Sequence, residues 1–349
     1  PFAGGDDSEK IHELNSKRLS PSAFDATSCD KHCYGLFKKD TDTLVAAVYV
    51  NLRTLKADAQ GIVNNNDLPG NISEVLSTDA HNIDTPNTAI FYSITSLVRS
   101  EKTKIKTEED NGIQPSRKRI FSPAEQLIRT VALNLASQGI SCFSTLSPLR
   151  QGIGENAEGL SQWLAAQLSN SSSAVLTHAE ETSLREFANV GAQASNYEAY
   201  TKLTAMETTL PTDQREFLLQ LKKDLAIYYL AHEKKISVPL DTVAKFHLSN
   251  GAEIANIHYG AATPSDHSGG GNMMVNYRYD PTKIDQRKDS HAAHQNIPID
   301  DVLAKRYHAR TAVLENEKQR HNQFQPAPDS QTSELGHQGV ISGSHRQRT

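Results

Sequence analysis

Ser122-Pro123-Ala124-Glu125-Gln126-Leu127-Ile128-Arg129-Thr130-Val131-Ala132-Leu133-Asn134-Leu135 decides the fold, because its punctuation and its period agree. Ser122 can cap a helix, Pro123 suits the first turn, and Glu125 stands where the acid of a capping box belongs. Ala124, Leu127, Ile128, Val131 and Leu135 recur at helical spacing, and Gly139 ends the element. The neighbouring apolar runs, Ala89-Ile90-Phe91-Tyr92-Ser93-Ile94 before it and Cys142-Phe143-Ser144-Thr145-Leu146 after it, are too short for helices and read as strands. Two strands flanking one helix make a crossover unit, and such units join parallel strands. The fold class is therefore α/β, a mixed α+β arrangement.

Working outward, Leu44 to Val50 reads as a further strand, and Asn64 to Pro86, rich in Asn, Asp, Ser and Gly, as a surface loop. Between the second strand and the helix lies a polar stretch, 98–121. It carries Lys102, Lys104 and Lys106, then Glu108, Glu109 and Asp110, then a basic cluster at Arg117, Lys118 and Arg119, and it reads as an insertion. Apolar residues return at helical spacing over Gly159 to Leu168 and Arg215 to Leu230, with Trp163, Tyr228 and Tyr229 as core or interface groups. Ile254 to Tyr259 and Met273 to Tyr279 read as two late strands joined by a turn through Gly269, Gly270 and Gly271. That turn follows no strand-to-helix pattern, so it is not read as a phosphate loop. Residues 1–28 form a polar N-terminal segment, and 322–349, without apolar periodicity, read as a disordered tail.

With 349 residues there is room for one large or two ordinary domains, and 37% hydrophobic residues with a mean hydropathy of -0.54 reflect the long polar stretches. A net charge of -5 excludes a general nucleic-acid binder, and no run approaches the roughly 18 apolar residues a membrane span requires. Three cysteines make no disulfide scaffold and fit a reducing compartment. Cys29-Asp30-Lys31-His32-Cys33 lacks the second Cys pair of a structural zinc site and reads as a loop leading into a strand. No metal and no cofactor is expected. A chain starting at Pro1 is expected to be a fragment or a processed form. The cysteine usage leads us to expect an intracellular site, with cytoplasm, mitochondrial matrix and peroxisome undistinguished.

Two words stand out chemically. Ser147 ends the apolar run Cys142-Phe143-Ser144-Thr145-Leu146-Ser147-Pro148, and His247 sits in Val243-Ala244-Lys245-Phe246-His247-Leu248-Ser249-Asn250-Gly251-Ala252. A hydroxyl and an imidazole can meet across a cleft and move a proton.

Taken with Asn87-Thr88-Ala89-Ile90-Phe91-Tyr92-Ser93-Ile94 and Met274-Val275-Asn276-Tyr277-Arg278-Tyr279, and in this order, these words resemble the catalytic domain of malonyl-CoA decarboxylases. The resemblance covers about Asp30 to Tyr279, within a catalytic domain over 29–321. It implies an acetyltransferase-like splayed mixed sheet flanked by helices, with CoA entering between two parallel strands, here Ala89 to Ile94 and Cys142 to Leu146. It implies malonyl-CoA as the small-molecule substrate, decarboxylation to acetyl-CoA within fatty-acid metabolism, no metal or organic cofactor, and a homo-oligomer. The family's N-terminal helical domain is expected to be absent from this chain. By motif, Ser147 and His247 match the family's catalytic dyad and Tyr279 an active-site tyrosine. Arg119, Ser122, Glu125, Ser147, His247 and Asn250 match its substrate-binding positions, although Glu125 also reads as a cap and Asn250 as part of the turn after His247.

The chain departs from the family at one place. The Gly-rich turn that binds the CoA pyrophosphate at a helix N-terminus is replaced by Arg119-Ile120-Phe121-Ser122-Pro123-Ala124-Glu125, which has no glycine. Pro123 removes a donor and Glu125 adds a negative charge, leaving Arg117, Lys118 and Arg119 to meet phosphates. Two other readings follow: a catalytically degenerate domain serving as a binding or assembly element, and an acyltransferase on the same fold, for which no amine acceptor site is specified.

Overall fold

The structure, a computed structural model, describes residues 30–37, 43–77, 85–96, 123–150, 159–171, 174–235, 238–260, 273–294 and 297–323. The strands are β1 (Lys31–Phe37), β2 (Leu44–Arg53), β3 (Thr88–Ser96), β4 (Cys142–Pro148), β5 (Lys234–Lys235), β6 (Val238–Pro239), β7 (Glu253–Tyr259) and β8 (Met273–Tyr279). The helices are α1 (Ile72–Leu76), α2 (Pro123–Ala136), α3 (Leu160–Ser169), α4 (His178–Ala188), α5 (Asn196–Ala205), α6 (Thr212–Ala231), α7 (Thr242–Ser249), α8 (Ile284–His294) and α9 (Asp301–Gln323). Six strands form one mixed sheet in the order β1-β2-β3-β4-β8-β7, and β5 and β6 form a separate two-stranded pair.

Every pairing in the large sheet is antiparallel except β3 with β4, the two strands that flank α2. The parallel pair expected from the crossover unit is therefore present. It is short: it runs from Thr88 opposite Cys142 to Phe91 opposite Thr145 and stops. Beyond those residues β3 stays with β2, where Ile94 faces Val48, and β4 stays with β8, where Ser147 faces Val275. The sheet splays at the C-terminal ends of its parallel strands, where open α/β sheets place ligands.

Core packing follows the two periods. On one face, Leu127, Ile128, Val131 and Leu135 of α2 lie against Val48, Val50, Phe91 and Phe143. On the other, Tyr49, Ile90, Tyr92, Leu146 and Met274 make a second cluster. Alternate residues of β2 and β3 supply the two faces, which is why these strands read as nearly unbroken apolar runs. Trp163, Tyr228 and Tyr229 pack together in the main core, as expected for stripes on helices.

The stretch Asn64 to Pro86, expected to be a surface loop, is more than that. It holds a turn of 3-10 helix at Asn65–Asp67 and the short α1, capped by Asn71, whose Oδ1 accepts from Glu74 N at 2.8 Å. Leu68 and Val75 are buried, and Asn51 Nδ2 donates to Val75 O at 2.6 Å, so two apolar anchors and a buried amide tie the segment to the sheet. The stretch 98–121 expected to be an insertion, residues 1–28, Cys29, the turn expected through Gly269 to Gly271 and residues 324–349 lie outside the described residues. At Cys33 the expected strand is present as part of β1. No helix among the described residues is long and apolar enough to cross a membrane.

Helix α7 ends where the chain must turn sharply. Gly251 adopts φ +83°, and a Cβ there would lie 2.5 Å from Ile284 O and 3.0 Å from Ile284 Cα, both backbone atoms of α8. A side chain would meet both a strained backbone and a fixed neighbour. Gly251→Ala is therefore expected to lower unfolding free energy by about 2 kcal/mol or more, read from urea denaturation. A change within error would mean that α7 and α8 do not approach through this glycine.

Candidate active site

β4 and β8 build the floor of the site by alternation. Phe143, Thr145 and Ser147 share one face of β4, and the antiparallel register sets Tyr279, Tyr277 and Val275 opposite them in turn. A serine at the open end of one strand and two tyrosines on its neighbour are thereby brought to one surface. Asn276 points the other way, where its Nδ2 donates to Thr145 O and Pro69 O at 3.0 and 3.1 Å and braces β4 from behind.

The histidine arrives from above on α7. Asp241 caps that helix, its Oδ1 accepting from Val243 N at 2.9 Å and Ala244 N at 2.7 Å, while Oδ2 accepts from Arg150 N at 3.2 Å, just after β4. One carboxylate thus ties the helix start to the chain leaving the serine strand. Burial pushes the Asp241 carboxyl above its ordinary value, opposed by these backbone donors. Ala244, His247 and Leu248 form the buried face of α7, at helical spacing, so His247 is delivered onto the sheet.

There the imidazole is fully engaged. Its Nε2 lies 3.0 Å from Ser147 Oγ and its Nδ1 lies 2.8 Å from Tyr279 Oη. The ring stacks on Tyr277, with centroids 4.4 Å apart and planes at 21°, and Phe246 meets it edge-on at 5.1 Å. Ser147 Oγ also reaches Thr145 Oγ1 at 3.4 Å. His247 and Tyr279 are 3% and 2% exposed, so water has almost no access to either. Burial pulls the imidazole down to about 3, which leaves it neutral at any physiological pH. Burial, reinforced by the charge of Glu125, holds the Tyr279 phenol well above the usual phenolic value. The result is a continuous line of neutral groups, hydroxyl to imidazole to phenol, able to hand on a proton without separating charge.

The line opens into a cavity of about 270 Å³ in the gap where β3 and β4 part. Ser147 and His247 lie on its wall together with Tyr92, Ile94, Phe246 and Met274. Tyr279 does not; it touches the ring from behind. The sequence therefore named three residues that the fold brings together, and missed Tyr277 and Thr145. Both lie within words already singled out, and the two-residue alternation along β4 and β8 was the signal that they share the face of Ser147 and Tyr279.

The other expected positions fall elsewhere. Arg119 and Ser122 lie outside the described residues. Glu125 forms an ion pair with Lys288 of α8, and Asn250 closes α7, its backbone N–H donating to His247 O at 3.1 Å. Both border a second, much smaller cavity behind Tyr279.

The family profile described as malonyl-CoA decarboxylase C-terminal domain matches residues 117–321. A curated relative, the mitochondrial malonyl-CoA decarboxylase of Anser anser anser, is 28% identical over 217 residues, which cover 60% of this chain and 37% of that protein. Among solved structures, malonyl-CoA decarboxylase from Cupriavidus metallidurans is similar with a TM-score of 0.59 at 21% identity, over 87% of this chain and 65% of that one. Malonyl-CoA decarboxylase from Rhodopseudomonas palustris is similar with a TM-score of 0.56 at 19% identity, over 87% and 60%. The chain thus spans less than two thirds of the length of each of these proteins, and the two structures speak for the fold.

Because the folded His247 binds a proton less readily than an exposed imidazole of value 6.5, the unfolded chain takes up protons first as pH falls. The stability that this ring contributes is present above about pH 6.5 and is lost downward through the window toward about 3. Replacing His247 by Gln is expected to flatten the acid side of the stability-pH curve within that window, as measured by denaturant titrations at a series of pH values. Parallel curves for the two proteins would contradict a neutral, buried imidazole.

Proposed function

The chain belongs to the malonyl-CoA decarboxylase family, and we propose that the protein removes carbon dioxide from malonyl-CoA and leaves acetyl-CoA. The observation that carries this reading is the hydrogen-bonded line from Ser147 through His247 to Tyr279, set on the wall of the cavity in the splay.

Decarboxylation breaks the bond between the carboxylate and the α-carbon. The electron pair moves into the thioester as an enolate, carbon dioxide leaves, and one proton must then reach the carbon. The chemistry makes three demands: a wall that keeps water off the carboxylate, donors for the enolate oxygen, and a positioned acid. Ile94, Leu146, Phe246 and Met274 offer the apolar wall. Backbone groups of β3 and β4 turned toward the gap, no longer paired with each other beyond Phe91 and Thr145, are available to the thioester oxygen and to the amides of the CoA arm. Ser147 gives its hydroxyl proton to the carbon and takes another from His247 Nε2, while the ring is reprotonated at Nδ1 by the Tyr279 hydroxyl and the phenol recovers its proton from solvent. So written, the reaction consumes one proton from solvent and asks for no metal or organic cofactor. Arg119 and Ser122 are assigned to the CoA phosphates.

Purified protein given malonyl-CoA is expected to release acetyl-CoA and carbon dioxide. Ser147→Ala and His247→Ala should each lower kcat by about 100-fold or more, within the range for a positioned acid or base. The double variant should lose no more than either single one, because the pair acts as a unit. Near-normal turnover in either single variant would remove the assignment. The altered phosphate turn favours a second reading, a non-catalytic binding domain. Calorimetry showing that the folded protein takes up CoA but turns over no malonyl-CoA would favour it.

A further inference from the structure

Behind Tyr279, between α2, α8 and the end of α7, lies a small cavity bordered by Tyr279, Asn250, Glu125, Lys288, Ile128 and Ile284. About 10 Å³ of it is open to the centre of a water-sized sphere, room for one molecule. Asn250 is 7% exposed, and its Nδ2, a donor, meets no acceptor among the described residues. An amide left so in a native interior costs about 1–3 kcal/mol unless something accepts from it. The neighbouring carboxylate of Glu125 is held by Lys288, in an ion pair whose members are both largely buried, so its position is fixed. Asn250 Nδ2, Tyr279 Oη and the Glu125 carboxylate are the two to four polar partners that a buried water needs.

We propose that one water bound in this cavity, accepting from Asn250 Nδ2 and donating to Glu125 and to Tyr279 Oη, sets the tautomer of His247 and so makes Ser147 a proton donor. Asn250 is on this account a positioning residue, acting through two intermediaries on a ring it does not touch. With its oxygen accepting from the water, Tyr279 turns its own O–H to His247 Nδ1. The neutral ring then carries its hydrogen on Nε2 and donates it to Ser147 Oγ, freeing the Ser147 hydroxyl hydrogen to point away. A second observation agrees: Ser147 Oγ has Thr145 Oγ1 within 3.4 Å, an acceptor for that hydrogen until a substrate carbon takes its place. The opposite orientation, with Tyr279 donating into the cavity, would put the ring hydrogen on Nδ1 and bind the Ser147 hydrogen to Nε2. Ser147 would then be held as a nucleophile rather than as an acid. Every donor in the first orientation points from the protein interior toward the substrate. No covalent step is added to the decarboxylation, and no proton beyond the one already required is consumed.

The inference rests on the decarboxylase reading for its purpose but not for its measurement, because the tautomer is read without substrate. Nitrogen-15 spectra of the histidine-labelled chain, with His247 assigned by the signals lost in His247→Gln, distinguish a ring protonated on Nε2 from one protonated on Nδ1. The wild-type chain should show Nε2–H and a bare Nδ1. In Asn250→Ala the population should move toward Nδ1–H, with Asn250→Ser, which keeps a donor, closer to wild type. Turnover of Asn250→Ala should fall about tenfold with KM unchanged, a fraction of the value of a positioned acid. A wild-type ring protonated on Nδ1 overturns the inference whatever the variants do, as does an Asn250→Ala tautomer identical to wild type. If the wild-type and Asn250→Ala tautomers are as expected but malonyl-CoA is not consumed, the decarboxylase reading fails and the water site stands.

Discussion

The pairing of β3 with β4 ends at Phe91 and Thr145, and most of the site depends on that ending. Two parallel strands that continued together would close the sheet and bury Ser147 in a ladder. Because each strand leaves with its other neighbour, the gap between them exposes backbone groups, the last residues of β4 and the first turn of α2 to the same cavity. Antiparallel partners on both sides hold the gap open: β2 carries β3 to Ser96, and β8 carries β4 to Pro148. The splay is therefore built into the sheet and does not wait for a ligand.

A second consequence is electrostatic. Residues that face α2 and α7 at the splay are taken out of water almost completely, so an imidazole there cannot afford a charge. His247 is neutral, stacked on Tyr277 and hydrogen-bonded at both nitrogens. Charges are kept one layer back, in the ion pairs Glu125 with Lys288 and Arg129 with Asp285, the latter bidentate at 2.6 and 2.8 Å. These pairs clamp α2 to α8, and through Gly251 α8 meets the end of α7. The helix that carries His247 and the helix that flanks the cavity are thus held by the same neighbour.

Much of this was legible in the sequence because local signals and tertiary demands coincided. The period and punctuation of Pro123 to Gly139 gave the crossover helix, and Gly139 does turn with φ +97° just after it. The words around Ser147, His247 and Tyr279 are compact, so motif order could assign them before any geometry was known. Other elements were missed for identifiable reasons. Helices α4 and α5 each begin with a capping box, Thr177 with Glu180 and Ser195 with Glu198, but their apolar stripes are thin and the sequence pattern is polar. Helices α8 and α9 are more polar still, and their partners, such as Asp224 for Arg306 and Glu180 for Arg310, come from distant segments. The segment around α1 looked like a loop because its buried apolar anchors among the described residues are Leu68 and Val75, the rest being polar bonds, and two anchors leave no period to read. Alternation along β8 puts Tyr277 on the face of Tyr279, but its stacking on the imidazole is a tertiary fact with no local signature.

Proton delivery from Ser147 depends on where the thioester lies, and a crystal structure of the protein with bound CoA measures that directly. The arm should run through the gap between β3 and β4, with its sulfur within about 4 Å of Ser147 Oγ, the contact distance for a substrate in reach of a positioned acid. Density for the arm on any other face, with the gap filled by protein side chains, would contradict it.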